Sequence, residues 1–336
     1  MHEIVARVYR GEGQESVHHG AIAVVNDKKE LIYSVGEPDF MTQSRSEAKP
    51  MQAIPLILSG AADRLGLTDK QLAIMCGSHT GTEEHVETVR STLHTLGLDE
   101  SYLQCGTHPP FYLTTLKQKP ETNEPLSPLQ HNCSGKHSGF LALTKDLQDE
   151  LGDYLNPKSR TQQMVLDIIS RMYAYPKEKI TIGIDGCSAP VFGVPLRNTA
   201  IAYATLANQL TDDEKLNAAL RRIVGLMDKY PEMISGEGRF DLALARTFPG
   251  NVVDKAGAEG MQGIAFRNPK IGIAVKILDG AHRAQYVVII ELLRQLGLLE
   301  NVDLTHLQPF MNPVVKNWRG LEVGRIIADF ELKKAS

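Results

Sequence analysis

The sequence predicts an α/β chain of the α+β kind, with a mainly antiparallel sheet drawn from both chain ends and a helix-rich middle lobe. Three observations lead there. β-Branched runs crowd the first forty residues, helical periodicity governs the long middle, and strand signals return in the last third. No internal repeat or low-complexity linker interrupts the 336 residues, so we expect one two-lobed domain. Residues 1–45 and 250–336 would form its sheet-rich lobe and residues 46–249 its helix-rich lobe.

The elements follow in order. Residues 4–10, 21–26 and 30–35 read as strands, with Asn26-Asp27-Lys28-Lys29 as a hairpin turn. Residues 46–65 are apolar on nearly all sides, as a buried helix should be. Pro50 fits its first turn, where backbone N–H groups lack partners anyway, and Pro55 should kink it. Residues 82–96 place Val86, Val89, Leu93 and Leu96 three and four apart, and Gly97 follows as a stop. Further helices are expected at 159–172, 199–208, 213–229 and 241–248. Residues 180–190 read as a buried strand ending in a polar turn. Residues 260–267 and 271–278 flank Asn268-Pro269-Lys270 as a hairpin. A helix at 282–296 and a strand at 322–330 close the chain.

Composition excludes several classes. A net charge of −4 with mixed signs leaves no electrostatic footprint for nucleic acid or anionic lipid. The N-terminus has neither a basic nor an apolar signal region, and no apolar run approaches the ~20 residues that span a bilayer. Four cysteines are too few for a disulfide scaffold and read as thiols. The expectation is a soluble cytoplasmic protein without membrane or nucleic-acid partners.

Several segments can carry chemistry. Ser46-Glu47-Ala48-Lys49 is a Ser-x-x-Lys at the expected start of a buried helix, where residues three apart share a face. A serine becomes a nucleophile when a neighbour takes its proton, and a lysine can do so once burial or a second cation lowers its pKa. Alone, the motif is weak and more readily describes a helix cap followed by a solvated lysine. Gly77-Ser78-His79 lies in a loop of small residues between two elements, and Lys255-Ala256-Gly257 in a glycine-rich turn beside a strand. The order Ser-x-x-Lys, Ser-x-Thr, Lys-x-Gly resembles that of the penicillin-recognising enzymes. His131-Asn132-Cys133-Ser134-Gly135-Lys136-His137-Ser138-Gly139 reads as a polar loop, and Asp185-Gly186-Cys187-Ser188-Ala189-Pro190 as a turn. Cys133 and Cys187 are candidate ligands for a soft metal, with His131, Lys136 or His137 as a further donor; the bland reading is two small buried thiols.

Taken together, Arg45-Ser46-Glu47-Ala48-Lys49-Pro50, Gly77-Ser78-His79, Asn132-Cys133-Ser134-Gly135-Lys136-His137, Asp185-Gly186-Cys187 and Lys255-Ala256-Gly257 resemble the asparaginase II family, the Rhizobium-type or class 3 asparaginases. The resemblance implies a serine β-lactamase/penicillin-binding-protein-like fold and hydrolysis of L-asparagine to L-aspartate and ammonia. It implies two serine–lysine tandems, Ser46 with Lys49 and Ser78 with Lys255. It also implies zinc on Cys133, Lys136 and Cys187, and a homodimer. Arg45, Asp185 and His137 are candidates for binding the substrate. One departure is His18-His19-Gly20, where the family leads us to expect an arginine before the glycine. Either serine has the parts of a nucleophile. The rival readings are another β-lactamase-like amide hydrolase and a non-catalytic zinc- or amino-acid-binding module.

Overall fold

The computed structural model describes residues 2–116 and 125–335, which divide into two compact units. The first comprises 1–47, 194–204 and 243–336, the second 48–193 and 205–242. Residues 194–204 and 243–249, expected in the helical lobe, thus belong with the sheet.

In the first unit both chain ends build one antiparallel sheet. Its order is Val314–Lys316, Glu322–Ala328, Glu3–Arg10, Gly13–Asn26, Ile271–Ile277, Met261–Phe266, Val252–Gly257, with Leu31–Val35 also paired to Gly13–Asn26. The inner strands Val252–Gly257, Met261–Phe266 and Ile271–Ile277 are buried along their whole length, because helices cover both faces. On one face lies His282–Gln295, whose Gln285 amide donates to Met261 O at 2.9 Å. Against the other lie residues of 194–204. A Cβ on Gly263 would stand 2.0 Å from the Tyr203 ring, so only glycine admits that approach.

The second unit is helical. The buried helix Lys49–Leu58 is packed by Ser134–Asp146, Arg160–Met172 and Glu214–Lys229. It starts three residues later than the sequence reading placed it, after a 3-10 turn at Arg45–Ala48, and Pro50 occupies its first turn. It continues through Pro55 and stops at Gly60, whose φ of 77° ends the ladder. The expected single helix over 46–65 is therefore a turn, a helix and a short second helix, Ala61–Arg64. Two of the expected helices start on side-chain caps. Ser159 accepts from Gln162 N, and Asp213 from Lys215 and Leu216 N.

Three expectations are corrected. Residues 134–139, read as part of a polar loop, open the buried helix Ser134–Asp146. Gly135 stands there for close packing, since a Cβ would lie 2.4 Å from Ile74 O. Lys255, read in a turn, sits inside the strand Val252–Gly257. The strand Thr181–Ile184, read as buried, pairs only with Pro190–Pro195 among the described residues and leaves Ile182 43% and Ile184 84% exposed. Among the described residues no helix is long and apolar enough to cross a membrane.

Candidate active site

Lys49 begins its helix with no exposed surface, and burying an amine demands hydrogen-bond partners. Its Nζ lies 2.9 Å from Ser78 Oγ, 2.8 Å from Gly77 O and 3.1 Å from Asn132 O. Ser78 follows the helix Asp69–Met75, and its own N–H donates to Ile234 O at 2.8 Å. Carbonyls only accept hydrogen bonds, so of these three partners the hydroxyl alone can donate. As an ammonium Lys49 donates to all three, and once deprotonated it can accept from the Ser78 hydroxyl instead.

Beside Ser78, His79 is fully buried. Ser134 Oγ donates to Leu129 O and therefore accepts from His79 Nε2, at 2.9 Å each. Burial, reinforced by the neighbouring His85, holds His79 well below the ordinary imidazole range. It is a neutral packing group in the site wall.

A second cluster joins Cys133, Lys136, His137 and Cys187. Lys136 Nζ donates to Cys187 Sγ at 3.0 Å. Cys187 is held as a thiolate, far below the usual thiol range, by the hydrogen bond from Cys133, by the Lys136 charge and by His137. Donating that same bond, together with burial, keeps Cys133 a thiol. Lys136 stays charged against its burial because Cys187 faces it. The Tyr154 hydroxyl accepts from Gln104 N and donates to His137 Nδ1 at 2.7 Å, which leaves the ring proton on Nε2. His137, expected at the substrate, is thus fully buried among the thiols. Asp185 is half-buried in the turn beyond Ile184, its carboxylate accepting from Gly186 N at 2.8 Å. The remaining thiols, Cys76 and Cys105, are pushed up to about 12 by burial and are inert.

Among the described residues no group of three or more His, Cys, Asp or Glu side chains is arranged to hold a metal. Cys133, Cys187 and Lys136 nevertheless fit zinc by donor chemistry. They are two sulfurs and an amine already drawn together in a buried site, one sulfur already ionised.

In the first unit, Arg45 takes φ 55°, left-handed and strained for a side chain, and turns the chain into Ser46. The Tyr203 hydroxyl donates to Glu47 O at 2.7 Å. Lys255 is wholly buried, opposite Gly263 in the sheet, and its Nζ donates to Ala256 O at 2.7 Å. Two residues along, a Cβ on Gly257 would lie 3.2 Å from Arg45 Cβ and from Ser44 O. The Arg45–Ser46 segment therefore rides on the strand of Lys255. The structure thus brings Lys49 to Ser78, and the segment of Ser46 to the strand of Lys255. Sequence reasoning missed the carbonyls of Gly77 and Asn132, because main-chain acceptors leave no residue-type signal.

The sequence profile of the L-asparaginase II family matches residues 6–328. No curated protein matches the chain. Similar solved structures include Mglu in its native form, at 15% identity and a TM-score of 0.47 over 84% of this chain and 65% of that one. A Bacillus glutaminase is 13% identical, with a TM-score of 0.39 over 83% and 91%. A β-lactamase from Mycobacterium bovis is 13% identical, with a TM-score of 0.40 over 82% and 94%. The chain spans 65% of the length of that Mglu chain.

Proposed function

Because the chain belongs to the L-asparaginase II family, an amidohydrolase family, we propose that it hydrolyses L-asparagine to L-aspartate and ammonia by serine–lysine catalysis. The observation that carries this reading is the buried Lys49 amine on Ser78 Oγ at 2.9 Å, with two carbonyls fixing its orientation. In this reading Ser46 attacks the side-chain amide carbon and yields its proton to Lys49. Ser78 passes that proton from Lys49 to the departing nitrogen, ammonia leaves, and water hydrolyses the acyl-serine. The strained Arg45 presents Ser46 on the turn ahead of the helix Lys49–Leu58, whose positive dipole end would favour an oxyanion. Lys255 lies on the strand that the Arg45–Ser46 segment rides on. Arg45 receives the substrate carboxylate and Asp185 its ammonium. In a second reading Ser78 attacks directly, favoured by the Lys49 amine 2.9 Å from its hydroxyl.

Cys133, Lys136 and Cys187 would hold zinc, which supplies Lewis-acid polarisation of a substrate group and takes the place of the Lys136 proton. A homodimer and a cytoplasmic location are carried over from the family resemblance and the sequence.

The test is ammonia release from millimolar L-asparagine by the wild type, Ser46→Ala and Ser78→Ala, with and without zinc, and mass spectrometry of trapped adducts. Loss of release in both variants is expected, and an acyl adduct on Ser46 supports the first reading over the second. A folded, zinc-replete wild type that releases no ammonia overturns the proposal. Trapping by a penicillin would favour a β-lactamase-like hydrolase instead.

A further inference from the structure

We infer that His108 and His131 are positioning residues for Lys49, acting through the backbone of Asn132; the inference rests on the role just given to Lys49. The Asn132 carbonyl that accepts from Lys49 Nζ belongs to the peptide unit whose N–H is that of Cys133. That N–H donates to His131 Nδ1 at 3.0 Å. In a trans peptide the N–H and C=O point opposite ways, so an acceptor on one end sets the direction of the other. His131 thereby aims the carbonyl at Lys49.

The preceding peptide is held in the same way. Asn132 N–H donates to His108 Nε2 at 3.1 Å, and the same nitrogen lies 3.1 Å from Asn132 Oδ1, so the ring grips both the backbone and the side chain of Asn132. The ring proton lies on Nδ1 and donates to Pro109 O at 2.7 Å, and a proline carbonyl can only accept. The two imidazoles meet edge to face at 4.3 Å, and Phe111 stacks on His108 at 4.7 Å. Two consecutive backbone N–H groups are thus captured by ring nitrogens, where a loop would ordinarily offer them to water or to other backbone.

Fixing this carbonyl matters because the direction of the Lys49 lone pair depends on where its N–H bonds are held. Without Asn132 O, the amine loses one of the two carbonyls that set its direction. Proton transfer to or from Ser78 would then slow, while the groups that bind substrate stay in place.

The experiment measures inactivation of the full-length protein by a fluorophosphonate, which reports serine nucleophilicity whatever the natural substrate, beside L-asparagine turnover. The variants are His108→Phe and His131→Phe, which keep a ring without an acceptor. His108→Gln and His131→Asn place a carbonyl oxygen near the lost Nε2 and Nδ1. Thermal midpoints identify any variant that fails to fold. Each phenylalanine variant is expected to lower the limiting inactivation rate and kcat about 10- to 100-fold, with the inhibitor constant and KM unchanged. The amide variants are expected to recover most of the loss. Folded phenylalanine variants with wild-type rates overturn the inference, as do amide variants as slow as the phenylalanine ones, since packing alone would then explain the rings. A wild type that is labelled but leaves L-asparagine intact sinks the asparaginase reading and still tests the pair. One that is neither labelled nor active sinks both.

Discussion

Lys49 and Lys136 are both buried lysines of the helical unit, and they are opposite in kind. Lys136 faces the Cys187 thiolate, and attraction to that anion outweighs the loss of hydration, so the amine stays charged. Lys49 lies against a hydroxyl and two carbonyls, polar groups that solvate a buried amine. The difference teaches that burial alone does not set a lysine's chemistry. What decides is whether the neighbour can carry a negative charge. A thiol that ionises makes a paired cation, whereas a hydroxyl and carbonyls make a base with a chosen direction.

Exchanging each amine for an isosteric apolar chain is the most direct way to break this comparison. Lys49→Met is expected to keep the fold and cost about 10²–10⁴-fold in L-asparagine turnover, the range of a lost general base. Near-wild-type turnover in that variant would reduce Lys49 to packing. Lys136→Met leaves the Cys187 sulfur without its cation. Unfolding free energy should fall by about 3 kcal/mol, and the thiolate absorbance near 240 nm should move to higher pH. An unmoved absorbance titration would mean that Cys133 and His137 hold the thiolate unaided.

A third prediction concerns neutral imidazoles near Lys49. His79 and His85 are both held below their ordinary 6.5, first by burial. Unfolded, they bind protons from about pH 6.5 downward, while in the folded state they resist. Their contribution to stability is therefore complete above about pH 6.5 and is lost as pH falls below it. Thermal midpoints should drop between pH 7.5 and 4.5, and the drop should shrink in His79→Gln. The smallest effect belongs to the Lys136 side. Tyr154→Phe takes the hydroxyl from His137 Nδ1 and from Gln104 N, a loss of about 1–3 kcal/mol read from urea unfolding.

Legibility followed the strength of local signals. The helix starts near Ser159 and Asp213 and the stop after Leu96 were visible because periodicity begins after a polar residue or ends at a glycine there. The helix Ser134–Asp146 was hidden because Gly135 and its polar neighbours serve close packing and chemistry, and both mimic a loop. Thr181–Ile184 was misread because apolar composition speaks of burial, and nothing in four residues says that the strand ends its sheet among the described residues. At the candidate site the sequence supplied Lys49, Ser78, Cys133, Lys136 and Cys187. The carbonyls that orient Lys49 and the rings that orient those carbonyls depend on tertiary approach, so periodicity and motif order carry no trace of them.

Trp318, the chain's single tryptophan, lies between the strands Val314–Lys316 and Glu322–Ala328 and is fully exposed. Its indole already meets water in the native protein, so its emission is that of a solvated fluorophore before any denaturant is added. Fluorescence excited at the tryptophan edge is then nearly blind to the melting of either core. The buried rings of Tyr154 and Tyr173 in the helical unit and of Tyr203 against the sheet are the chromophores whose surroundings change. Unfolding of this protein is a tyrosine experiment, read by near-ultraviolet dichroism or second-derivative absorbance.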